Sequence, residues 1–418
     1  PTPPPLSYDI SQLKGDTKSD VAYSKDKNCG VQGRSSGDLT ARPWGQMDLN
    51  FEQAWRFGKG EGQLVAVIDT GVNGHPRLAG RLTAGGDYVA GTDGTEDCDG
   101  HGTMVAGIIA ADEGDSKTGF KGVAPGARIL AIRHSSKAYG GQDNGVAVRA
   151  GNQTTMAKAI VRAADSGAGV INISSVVCMT PGQNWSDIQA AARYAREKNS
   201  VVVAAAGNIT TGEGSNCGRA NRPDSVQTVP TPAWLDSDVL TVGALNEEGG
   251  PASFTMGGPW VDVAAPGTNH ISLDPSSGAS GLANRYVEGN QLRDIQGTSF
   301  AAPYVSGVVA LVRARYPHLD ATQVMERIKR TARQPQGRTG RDFHIGYGMV
   351  DPVAALTAVL PEEQGINPRA PLRSTVDIAP APPADHRPLT VALVGSGIAL
   401  GLLALTHLAV RARRRRTT

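Results

Sequence analysis

The run Leu64-Val65-Ala66-Val67-Ile68 is apolar at every position and stops at Asp69-Thr70-Gly71. A strand with two apolar faces must be covered on both, as the central strands of parallel sheets are. Strand-like runs return at Arg128–Ile132, Val170–Ser174, Val201–Ala206, Val239–Val242 and Val261–Ala264. Helical stretches lie before, between or after them: Phe51–Phe57, His101–Ala111, Asp187–Lys198, a run opening at Ser299, and Ala321–Thr331. Strands alternating with helices predict an α/β fold, a mostly parallel sheet flanked by helices on both faces. Aromatic residues make up only 5% of the chain, so Val, Ile, Leu and Ala must build its core.

The 418 residues suffice for one large domain with appendages, or for two domains. Residues 1–45 are polar, begin Pro-Thr-Pro-Pro-Pro and have no period, which predicts an extended arm lying on another surface. An inhibitory propeptide is the competing reading; the polar composition and Cys29 favour a permanent wrap. Residues 46–360 form the predicted main domain. Within it, residues 135–155 read as a long polar loop, either functional or a tolerated insertion. Residues 361–388 are proline-rich with no period and read as a linker reaching at most roughly 80–90 Å.

Residues 389–410 are almost wholly apolar. At a rise of 1.5 Å per residue they span roughly 33 Å, enough to cross a bilayer as a transmembrane helix. Residues 411–418 carry Arg411, Arg413, Arg414, Arg415 and Arg416, which favour the cytoplasmic side and put the large domain outside. Gly397 and Gly401 form a G-x-x-x-G pair that lets two membrane helices approach. Pro1 in place of Met predicts a chain already processed after export, or trimmed. The net charge of +2 implies no strong polyanion partner, so no nucleic acid is expected. Cys29, Cys98, Cys178 and Cys217 lack C-x-x-C spacing and read as two disulfides, for which three pairings exist.

Three distant stretches carry chemistry. Asp69 ends the first strand, His101 opens a helix in Asp99-Gly100-His101-Gly102-Thr103, and Ser299 follows Gly297-Thr298 at the start of another. Ligands in open α/β sheets bind beyond the carboxyl ends of the strands, where Asp69 should lie. A serine hydroxyl needs an imidazole to take its proton and return it to the leaving group. A buried carboxylate fixes that imidazole's tautomer. Ser299 is thus the expected nucleophile, His101 the acid/base and Asp69 the orienting group. Asn208, at the end of Ala204-Ala205-Ala206-Gly207, would donate to an oxyanion together with the Ser299 N–H. Pro303 is expected near the first helical turn, where a missing N–H costs least.

These blocks resemble the subtilisin-like serine proteases, in that family's order of Asp, then His, then Ser. Gly122-Val123-Ala124-Pro125, Val170-Ile171-Asn172-Ile173-Ser174 and Asp262-Val263-Ala264-Ala265-Pro266-Gly267 add to the likeness, which covers about residues 60–355. The arm, the extra cysteines, the proline-rich linker and the terminal span resemble the layout of the mycosins, membrane-anchored proteases of mycobacterial type VII secretion. The resemblance implies exported protein substrates and a membrane-embedded secretion complex as partner. The competing reading is a structural subunit that braces or caps such a complex, with proteolysis secondary.

The chain departs from the typical subtilisin pattern at Ser174-Ser175-Val176, where Val176 stands in place of the expected glycine. Ser174, Ser175, Val176 and Gly207 are the expected substrate-binding residues, and Val176 predicts a preference for a small residue at P1. Right-handed crossover makes strands 170–174 and 201–206 neighbours, so Cys178 and Cys217 should lie at one sheet edge and pair, leaving Cys29 with Cys98. Asn208-Ile209-Thr210 fits a glycosylation sequon, but a sugar there would block the oxyanion site and the match is read as accidental. Neither a metal nor a cofactor is assigned.

Overall fold

In the computed structural model the arm supplies two short strands, β1 (Tyr23–Lys25) and β2 (Gln32–Arg34), before the first helix, α1 (Trp44–Leu49). The apolar run becomes β3 (Leu64–Asp69), followed by β4 (Leu82–Asp87), α2 (His101–Ala110) and β5 (Arg128–Arg133). Then come β6 (Ser136–Asp143), β7 (Val146–Ala150), α3 (Gln153–Asp165), β8 (Val170–Ile173) and β9 (Val177–Met179). Helix α4 (Ser186–Glu197) leads to β10 (Val201–Ala205), β11 (Val229–Thr231), β12 (Val239–Leu245) and β13 (Val263–Pro266). A small pair, β14 (Ser272–Leu273) and β15 (Leu282–Ala283), precedes the hairpin β16 (Arg285–Glu288) and β17 (Gln291–Asp294). Helices α5 (Thr298–Arg315), α6 (Ala321–Arg330) and α7 (Pro352–Thr357) follow.

Residues 6–363 are described, except 16, 20, 38, 115–117, 184, 211–216, 289 and 335–339. The chain divides into two compact units, Pro1–Leu372 and Arg373–Thr418. The second unit lies outside the described residues, as do the apolar run 389–410, nearly all of the linker and the arginine tail. Among the described residues no helix is long and apolar enough to cross a membrane.

Seven strands form the central sheet in the order β13-β12-β10-β8-β3-β5-β4. Every neighbouring pair is parallel. Side chains alternate between its faces. Val65 and Val67 pack with Val105 and Ile108 of α2 and Val305 and Val308 of α5. Ala66 and Ile68 pack on the other face with Ile160 of α3 and Ile188 of α4. Cutting a buried isoleucine such as Ile68 to alanine costs about 2–5 kcal/mol. Helix α5 is buried along nearly its whole length and so needs no polar face.

Three expectations need correction. Residues 135–155 are not a structureless loop: β6 and β7 form an antiparallel hairpin, and α3 begins at Gln153. The turn residues Asn144 and Gly145 both have positive φ, 49° and 80°. Asn-Gly favours such a two-residue turn because both residues tolerate left-handed backbone, and polar composition hid that signal. The arm is not merely extended, since β1 pairs with β6 and β2 with β16. Its short 3₁₀ helix Ile10–Leu13 buries Leu13 against the α3 and α4 cluster. Pro303 lies in the second turn of α5, so the Ser299 carbonyl has no i+4 amide to accept from.

Two disulfides close the loops, Cys29–Cys98 with Cα atoms 4.4 Å apart and Cys178–Cys217 with Cα atoms 5.3 Å apart. The first fastens the arm to the segment leading into α2.

Candidate active site

Asp69 is the last residue of β3 and is almost fully buried. Its Oδ1 accepts from the Thr70 N–H at 2.8 Å and lies 2.7 Å from Nδ1 of His101, the first residue of α2. An ionised carboxylate only accepts, so Nδ1 carries the proton, and in the neutral ring Nε2 keeps a free lone pair. Burial pulls the His101 pKa down, but the Asp69 charge and hydrogen bond outweigh it and hold the ring above the ordinary histidine range.

The contact depends on close backbone packing at Gly102. A Cβ there would sit 2.0 Å from the Gly71 carbonyl oxygen and 3.0 Å from the Asp69 Cβ. Asp97, which sequence reasoning missed, ties the two loops together. It accepts from Thr70 Oγ1 at 2.8 Å, the Gly100 N–H at 2.7 Å, and the Thr103 N–H and hydroxyl at 2.8 and 2.6 Å. Asp99 likewise accepts from Ser136 Oγ at 2.5 Å and the Lys137 N–H at 2.9 Å, joining the hairpin to the approach of His101. The Phe300 ring centroid lies 5.0 Å from that of His101, tilted by 50°, and packs the imidazole from the α5 side.

Ser299 is the second residue of α5 and is 8% exposed. Its neighbour Thr298 donates to Asn208 Oδ1 twice, from the N–H and from the hydroxyl, each at 3.0 Å. A backbone N–H can only donate, so the Asn208 oxygen is assigned and its NH₂ must point elsewhere. A Cβ built on Gly297 would lie 3.0 Å from Ser299 Oγ and 3.2 Å from Asn208 Nδ2, so both atoms converge beside that residue.

Asp69, His101, Ser174, Ser175, Val176, Gly207, Asn208 and Ser299 all line one cavity of about 370 Å³. Among the described hydrogen bonds, none joins Ser299 to the His101 ring. Val176 Cγ2 lies 3.2 Å from where a Gly207 Cβ would stand, so the valine crowds that wall. The hairpin adds Ser136, Lys137, Arg149 and Ala150 to the lining, and β16 adds Tyr286. These residues come from the hairpin, which the sequence reads as a polar loop, and from a β-ribbon to which it assigns no element. Cys29, Glu96 and Cys98 are the one group of potential metal ligands among the described residues, and their sulfurs are tied in the disulfide.

The subtilase family model matches residues 60–348. Mycosin-3 of Mycobacterium tuberculosis is 42% identical over 99% of this chain and 93% of its own length. Mycosin-4 of the same organism is 45% identical over 88% of this chain and 81% of its own. Among solved structures, the MycP3 protease from the type VII (ESX-3) secretion system matches with a TM-score of 0.73 and 41% identity, over 85% of this chain and 97% of that one. A chain of an intact ESX-5 inner membrane complex matches with a TM-score of 0.77 and 37% identity, over 98% of this chain and 99% of that one. With its parallel sheet, the Asp69–His101 pair and Ser299 at a helix start, the chain belongs to the subtilase family and, within it, to the mycosins.

Proposed function

We propose that this subtilase is a serine endopeptidase that cuts exported proteins outside the cytoplasmic membrane, through an acyl-enzyme on Ser299. The observation that carries the reading is the 2.7 Å Asp69–His101 contact facing a cavity shared with Ser299 and Asn208. Ser299 Oγ attacks the scissile carbonyl while His101 Nε2 takes its proton, and the Asp69 carboxylate stabilises the resulting imidazolium. The oxyanion accepts from Asn208 Nδ2 and the Ser299 N–H, at the positive end of α5. His101 returns the proton to the leaving amine, and water then opens the ester by the same steps in reverse. Small P1 residues suit the wall narrowed by Val176.

Membrane attachment through 389–410, with the arginine tail inside, is part of this proposal. Its supports are the apolar run itself and the likeness over 98% of the chain to a component of an inner membrane complex. That likeness also supports a membrane-embedded secretion complex as the partner, where the domain would brace its neighbours as well as cut.

Labelling with a fluorophosphonate, before and after Ser299→Ala, tests the chemistry. The expected result is a single labelled serine, Ser299, with label and peptide cleavage both lost in the variant. Cleavage that persists in Ser299→Ala would overturn the proposal. Secretion that persists while cleavage stops would assign the bracing role separately from catalysis.

A further inference from the structure

Strand β7 ends the three-stranded sheet β1-β6-β7, so its outer edge pairs with no strand among the described residues. The register fixes which of its groups face outward. Asp143 and Val146 flank the two-residue turn and form the first hydrogen-bonded pair, and Gly141 and Val148 form the next. The N–H and C=O groups of Ala147 and Arg149 therefore point away from β6. Exposed edges are usually blunted by lysine, proline or a covering element. Here the strand is Val-Ala-Val-Arg-Ala, Val146 is 64% exposed, and its one charge, Arg149, is already paired with Asp26 at 2.5 Å.

The strand also has a direction. It begins at the hairpin tip with Val146 and ends at the active-site cavity, which Arg149 and Ala150 line. Its five residues span about 17 Å. A polypeptide leaving the cavity along this wall meets outward donors and acceptors at alternate residues, spaced as an added strand requires.

We infer that the outer edge of β7 is an exosite that takes the segment of the substrate flanking the scissile bond as an added β-strand. The inference rests on the protease reading above. Its ligand is any extended segment free of proline at alternate positions, so the exosite selects unfolded or linker regions of exported proteins rather than a side-chain sequence.

The test compares Ala147→Pro with the parent enzyme. Proline removes one outward N–H and obstructs pairing, yet an edge strand tolerates it because that N–H faces solvent. Three substrates are used: a tetrapeptide amide, and peptides extended by eight residues on one flank or the other. The expected result is that extension on one flank raises kcat/KM about tenfold in the parent, the scale of two added backbone hydrogen bonds. Ala147→Pro loses that gain while tetrapeptide turnover and fluorophosphonate labelling stay unchanged. No gain from either flank, or a gain that survives the substitution, would overturn the exosite. Concentration-dependent self-association abolished by Ala147→Pro would also overturn it, by assigning the edge to a second copy. Absence of labelling in the parent would instead sink the protease reading itself.

Discussion

Asn208 and Thr298 are 90 residues apart in sequence and joined by two hydrogen bonds, both accepted by the asparagine's Oδ1. The pair orients the amide, because turning it over would bring an NH₂ against a backbone N–H. The loop that ends β10 and the helix that begins with Thr298 are thereby fixed to one another beside the proposed oxyanion site.

Asn208→Ala should lower kcat by about 10²–10³ with little change in KM, the scale seen for the corresponding donor in subtilisin. Thr298→Val keeps the N–H bond to Asn208 and removes two hydroxyl bonds, one given to Asn208 and one accepted from the Gly207 N–H, and should still cost less because the amide donor stays. Steady-state kinetics on a short peptide distinguish the two, and a larger loss in the threonine variant would contradict the assigned role of the amide.

Gly102→Ala should nearly abolish activity. The added methyl meets the Gly71 carbonyl at 2.0 Å, so α2 and the Asp69 loop must separate. Overpacking of this kind costs about 1–3 kcal/mol of stability, and the displaced His101 loses its carboxylate. Denaturant unfolding read alongside kcat shows whether activity falls far more than stability does.

The acid limb of kcat/KM should lie above the ordinary histidine pKa of about 6.5, because His101 must be neutral to accept a proton and Asp69 holds its pKa up. For stability the sign is opposite: what the His101 proton contributes is full below the unfolded pKa and is lost as pH rises through the folded one. Asp69→Asn should move the acid limb downward and cut kcat by about 10⁴, because the wrong tautomer is then favoured. A pH–rate profile of both proteins reads the shift.

His134 and His270 behave the other way. Burial pushes them down to about 4 and about 3, so both are neutral in the fold. As pH falls below about 6.5 the unfolded chain takes up these protons first, and stability is lost until the folded pKa values are reached. His270 lies between the Phe300 and Tyr304 rings, with centroids 6.0 and 5.5 Å away. His270→Phe should therefore lose Tm less steeply than the parent between pH 6.5 and 4. Calorimetry across that range tests it, and parallel slopes would refute the assignment.

The double variant Cys29→Ser, Cys98→Ser should lose about 4 kcal/mol, the chain-entropy scale for a loop of 69 residues. Because Cys98 sits between Asp97 and Asp99, both of which hold the approach to His101, kcat should fall as well. Chemical denaturation and peptide turnover read these separately.

Much of the fold was legible. Val65 and Val67 face one helical layer while Ala66 and Ile68 face the other, and an unbroken apolar run states that both layers exist. The Asp69 position at the end of that run was legible for the same reason. The hairpin was legible in principle from Asn144-Gly145, but the polar residues around it weighed toward a loop. The arm's strands were not legible: Tyr23–Lys25 and Gln32–Arg34 carry no strand pattern, and they are strands only because β6 and β16 offer them edges.

By itself the sequence determined the alternation of strands and helices and which side chains end or begin them, because periodicity is a property of near neighbours. Tertiary structure alone decided that Asp97 would tie the Thr70 and Thr103 segments together, that Asp99 would meet Ser136, and that a hairpin would wall the cleft. Those contacts join residues tens of positions apart, and their distances depend on how whole layers pack, which no local pattern encodes.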